Sequence, residues 1–141
     1  MYFAIIESVS DTSSLATVAY GQSISDITAW YADEVHECLE LYGSEECESE
    51  GENAESKCDE LCELAENNAL DADDLRGLIT SAADVTVEIV EVFDSYADFT
   101  KGLSEYLSDK PKFKKIIPEA NPENVEKECD RINSLLIKEC I

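Results

Sequence analysis

A chain of 141 residues with 33 acidic and 10 basic side chains carries a formal net charge of −23. A surface this negative repels nucleic acid and anionic membranes, and it favours basic partners. Apolar residues make up 44% of the chain, too many for a disordered acidic tail and enough for one acidic domain over 1–141 with its own core.

The charge is uneven. Residues 1–110 hold 27 acids and 4 bases, whereas residues 111–141 hold 6 of each and are neutral. The densest stretch, 31–66, sets 14 acids against a lone Lys57.

Residues 1–22 read two ways. Tyr2 to Val9 suits a strand and pairs with Leu15 to Tyr20 across Ser10-Asp11-Thr12-Ser13, which makes a β-hairpin. Alternatively, Asp11 caps a short helix with Leu15, Val18 and Ala19 on one face and Gly21 at its end.

The rest, 23–141, reads as helical. Ser23 and Asp26 form a capping-box-like start, followed by Ile27, Trp30, Tyr31, Val35, Cys38, Leu41 and Tyr42 at helical spacing, with Gly43 as the C′ residue. Residues 44–53 read as an acidic connection. A helix over 54–67 then places Cys58, Leu61, Cys62 and Ala65 inward and ends at Asn67-Asn68. Asp71 caps another, with Leu75, Leu78, Ile79 and Ala82 as its apolar stripe.

Asp84 to Leu107 reads as the longest helix, through Val85, Ile89, Val92, Phe93, Tyr96, Phe99, Leu103 and Tyr106 or Leu107. Its β-branched start, Val85-Thr86-Val87, is poor for that assignment. A basic connection with Pro111 follows. A last helix starts at Pro122 and runs to about 139, with Val125, Cys129, Ile132, Leu135 and Leu136 inward. The expected fold class is therefore mainly α: a compact bundle or array of four to five amphipathic helices.

Three acidic rows stand out as partner-binding residues. Asp84, Glu88, Glu91, Asp94 and Asp98 line one side of the expected long helix at about 5–6 Å per step. Asp33, Glu37 and Glu40 form a second row, and Glu55, Asp59, Glu63 and Glu66 a third. An ordinary solvated helix face mixes Glu with Lys, and these rows do not. They read as a rigid polyanion that imitates a nucleic-acid backbone and occupies a cationic groove. In composition the chain resembles phage-encoded DNA-mimic inhibitors of restriction and CRISPR nucleases. The resemblance implies an anti-defence inhibitor, and no motif carries residue roles across.

Other chemistry is weakly signalled. Glu46-Cys47-Glu48-Ser49-Glu50-Gly51 echoes the start of an EF-hand loop, but Lys57 stands where the bidentate Glu is required. Six cysteines (38, 47, 58, 62, 129, 140) fit either three disulfides or buried thiols. A zinc site from Cys38, Cys47, Cys58 and Cys62 lacks a CxxC pair, and His36 is two residues from Cys38 and so faces another side. No glycine-rich phosphate loop or nucleophile motif is present.

The sequence thus predicts a non-enzymatic acidic inhibitor that binds a basic protein, a nucleic-acid-binding complex or nuclease. Direct contact with nucleic acid or membrane, a catalytic residue, a metal and a cofactor are not expected. Two alternatives stay open: an immunity protein or antitoxin neutralising a cationic toxin, and a secreted, disulfide-stapled helical protein holding an apolar ligand. The expected location is cytoplasmic, because Met1 to Ile6 has no preceding base and Glu7 cuts it short. It is secreted if the six cysteines form disulfides.

Overall fold

The computed structural model describes residues 1–10, 14–40, 44–67 and 69–140, with the side chains of 40, 139 and 140 outside the description. It corrects the expectation of a mainly α bundle. Four strands, β1 (Tyr2–Val9), β2 (Ser14–Gly21), β3 (Ile79–Ala82) and β4 (Val85–Phe93), form one antiparallel sheet in the order β2-β1-β4-β3. The fold is mixed α/β.

Helices cover both faces. α1 (Ile24–Glu40) and α2 (Glu45–Glu66) pack on one side over Ala4, Ile6, Val85, Val87 and Ile89. α4 (Tyr96–Ser108) and α5 (Val125–Cys140) pack on the other over Phe3, Ile5, Ala16 and Val18, together with a 3₁₀ turn over Pro111–Phe113. β1 is buried on both faces, which explains its unbroken apolar run.

The hairpin reading of 1–22 is the one observed: β1 pairs β2 from Tyr2↔Gly21 to Val9↔Ser14. The turn expected at Ser10 to Ser13 falls on 11–13, outside the described residues, as do Leu41, Tyr42, Gly43 and Asn68.

The expected long helix over 84–107 is two elements. Six of the nine residues of β4 are β-branched, and Val85, Val87 and Ile89 alternate into the core at the strand period of two. Val85, Ile89 and Val92 also fit a helical stripe, so period alone misleads over this length. The strand opens from a tight hairpin turn in which Ala83 and Asp84 both have positive φ, 48° and 66°. Opposite β1 the register slips between Ile5 and Ile6, leaving Val90 as the extra residue of a bulge. Ser95 then caps α4 by accepting from the Asp98 backbone N at 3.2 Å.

Two further boundaries move. The helix expected after Asp71 keeps that N-cap, which forms a capping box with Asp74, but is one turn long, α3 (Ala72–Leu75), with Gly77 at φ 80° leading into β3. The acidic connection over 44–53 is helix: Ser44 accepts from the Cys47 backbone N at 3.1 Å, and Glu45, Glu46 and Glu48 sit in the favourable first turn. The EF-hand-like segment is therefore part of α2. Cys62 lies beside Thr28 and Gly51 beside His36, so α1 and α2 run antiparallel.

Candidate functional site

α2 is a 22-residue helix, about 33 Å long, and it buries only a narrow strip of small residues: Cys47, Gly51, Ala54 and Cys58. The rest of its surface is dominated by acids. Ten of its residues are Asp or Glu and one is Lys. Glu55, Asp59, Glu63 and Glu66 are all exposed and span about 16 Å along its axis. On the neighbouring α1, Asp33 and Glu37 are exposed as well, while the Glu40 side chain lies outside the described residues.

The acids of this layer are uncompensated. Among the described residues the ion pairs are Arg76 with Asp73 and Glu91, Lys110 with Glu7, and Arg131 with Glu128, and none involves α1 or α2. Like charges at i,i+4 destabilise a helix by a few tenths of a kcal/mol per pair. The sheet beneath the two helices supplies the burial that offsets this.

The first predicted row does not exist as a row. Asp84 and Asp94 lie at opposite ends of β4, about 30 Å apart along the strand. Glu88 is half-buried in the sheet, opposite Glu7 and Ile79. Glu91 is ion-paired with Arg76. Only Glu91, Asp94 and Asp98 come together, around a groove of about 460 Å³ shared with Asp71, Asp73 and Arg76. The reason is the secondary structure: a spacing of three and four makes a stripe on a helix and scatters on a strand.

A second groove, of about 510 Å³, was not visible in the sequence. Tyr20, from the end of β2, and Trp30, from α1, set their rings 5.4 Å apart at 50°. Asp33, Glu34 and Glu37 of α1 and Glu126 of α5 wall it, and no basic residue lines it. The Tyr20 hydroxyl donates to Asp130 Oδ1 at 2.9 Å, which fixes that ring, and its pKa is pushed up to about 12, chiefly by burial and then by Asp130. Burial pushes the Glu34 carboxyl up to about 6, and Glu37 and Asp33 add to it. Trp30 reads as core on the helical pattern of α1, yet it is only half-buried. Tyr20 is ten residues from it in sequence and Glu126 far more, so no local pattern joins them.

Cys38, Cys47, Cys58, Cys62 and Cys129 are free, so no disulfide joins the described cysteines, and the side chain of Cys140 lies outside the description. Burial pushes the Cys58 thiol up to about 11 and Cys129 to about 12, which keeps both protonated. Cys62 Sγ meets the buried Thr28 hydroxyl at 2.7 Å. Among the described residues no three His, Cys, Asp or Glu side chains converge to hold a metal ion. The four cysteines weighed as zinc ligands do not form such a site.

No protein-family model, curated protein or solved structure matches the chain. Among the described residues no helix is long and apolar enough to cross a membrane.

Proposed function

We propose that the chain is a non-enzymatic inhibitor that binds a basic protein through the acidic layer of α1 and α2. The target class is a nucleic-acid-binding complex or nuclease, whose cationic groove the layer would occupy in place of a nucleic-acid backbone. The observation that carries this reading is the absence of ion pairing on α1 and α2 among the described residues, despite ten acids on α2 alone. A surface evolved only for solubility can intersperse both signs and lower its self-repulsion. Apart from Lys57 the α2 surface keeps a single sign, held by packing on a sheet. Such a surface raises the on-rate to a basic partner and makes affinity salt-dependent.

The test is retention of host proteins on the immobilised chain at low salt, with elution along a salt gradient and a parallel run with duplex DNA as competitor. The bait variant Glu55→Gln, Asp59→Asn, Glu63→Gln, Glu66→Gln is run beside it. The expected outcome is a basic nucleic-acid-binding protein that elutes at moderate salt, is displaced by DNA and is poorly held by the variant. Retention that ignores ionic strength, or that the variant preserves in full, would overturn the proposal.

A further inference from the structure

The groove floored by Tyr20 and Trp30 differs in kind from the α2 row. An acidic row attracts any cation, whereas an aromatic floor discriminates between cations. The groove lies at the end of β2, where α1 from one face of the sheet and α5 from the other both reach the sheet edge, and so its carboxylates come from both layers. Among the described residues Glu34 forms no ion pair; it is only partly exposed, and Asp33 and Glu37 crowd it with like charge. A carboxylate in that position is relieved by a cation that reaches into the groove.

We infer that the groove receives an arginine side chain from an arginine-bearing segment of the basic partner, with the guanidinium laid against Trp30 and held by Glu34 and Glu37. This rests on the proposed function for the existence of a basic partner. Charge complementarity selects a cation, because five acids and no base line the groove. The ring face selects arginine over lysine. A guanidinium is planar and weakly hydrated, and it presents a fork of donors to two carboxylates while stacking on an aromatic ring. An ammonium is a compact, strongly hydrated point charge.

Trp30 is the only tryptophan, so its fluorescence reports on this groove alone. The full chain is titrated with hexa-arginine and with hexa-lysine, which carry equal charge, and binding is followed by Trp30 emission and by calorimetry. The expected result is a saturable change in Trp30 emission with hexa-arginine and an affinity at least about fivefold higher than for hexa-lysine. Trp30→Leu, checked for folding by circular dichroism, removes the preference. Glu34→Gln with Glu37→Gln removes it as well and leaves the ring packing in place. Glu55→Gln with Asp59→Asn and Glu63→Gln on α2 weakens both peptides alike and keeps the preference. Equal affinity for the two peptides with Trp30 unperturbed overturns the groove and leaves the acidic-layer reading standing. Failure of both peptides to bind at low salt overturns the groove and the acidic-layer reading together. A Trp30 change that follows the concentration of the chain alone, without peptide, assigns the groove to a second copy and also overturns the inference.

Discussion

Asn133 on α5 and Val18 on β2 exchange two hydrogen bonds. The Val18 backbone N donates to Asn133 Oδ1 at 2.7 Å, and Asn133 Nδ2 donates to the Val18 carbonyl at 2.9 Å. β2 is an edge strand, and at Val18 the side-chain amide stands where a neighbouring strand would pair. The same contact anchors α5 to the sheet, and with it Glu126 at the mouth of the aromatic groove. Asn133→Leu leaves both backbone groups without partners at a part-buried site. The expected cost is about 1–3 kcal/mol in urea unfolding. Aggregation of the folded protein is also expected to rise, because the edge is uncovered. A variant as stable and as soluble as the parent would show that the amide bonds contribute nothing.

The β3–β4 turn carries a strain that substitution should relieve. Ala83 and Asp84 occupy the left-handed region at φ 48° and 66°, between the paired residues Ala82 and Val85. A two-residue turn of this form favours Asn-Gly, and left-handed backbone costs an ordinary residue about 1 kcal/mol. The double variant Ala83→Asn, Asp84→Gly is expected to raise the unfolding midpoint by the equivalent of about 1–2 kcal/mol. Since Asp84 lies at the β3–β4 turn and is not part of the α2 row, partner binding should be unchanged. Loss of binding in this variant would return Asp84 to the recognition surface.

How much of this was legible depends on how local the signal is. Caps were readable: Ser23 with Asp26 is a reciprocal box in the fold as in the sequence, and Asp71 is the N-cap read from the sequence, with Asp74 completing a box that the sequence reading did not name. The exposed row Glu55, Asp59, Glu63, Glu66 was readable too, since helical spacing alone defines it. The sheet was not. β4 carries apolar residues that satisfy two periods at once, and the deciding fact is pairing with β1, far away in the chain. The aromatic groove was hidden for the same reason: Tyr20, Trp30 and Glu126 meet only after the sheet and both helical layers have formed.

Glu34 gives the acidic layer a measurable pH signature. Its carboxyl is raised to about 6, by burial first and then by Glu37 and Asp33. A folded-state pKa above the unfolded value means that the folded chain holds the extra proton between about pH 4.5 and 6. The contribution of this residue to stability therefore falls as pH rises through that window, and it is least favourable at neutral pH. Glu34→Gln removes the titration. Urea unfolding at pH 5 and pH 7 should show the variant gaining on the parent at pH 7 relative to pH 5. An unchanged difference between the two pH values would place Glu34 in ordinary solvent.

If the repulsion along α2 is kept for a purpose, stability and binding should pull apart there. Asp59 lies four residues after Glu55 and four before Glu63, and all three are exposed. Asp59→Lys converts two repulsive i,i+4 relations into attractive ones. The pair with Glu55 has the better orientation, because its acid lies N-terminal to the new base. The expected gain is about 0.5–1 kcal/mol at low salt, shrinking as salt screens the pairs. Added salt should likewise stabilise the parent more than the variant. If the layer serves a basic partner, this more stable variant binds that partner more weakly, a loss of function from a stabilising change. If it binds equally well, the acids of α2 are a solvated face, and recognition must be sought elsewhere, first in the groove beside Trp30.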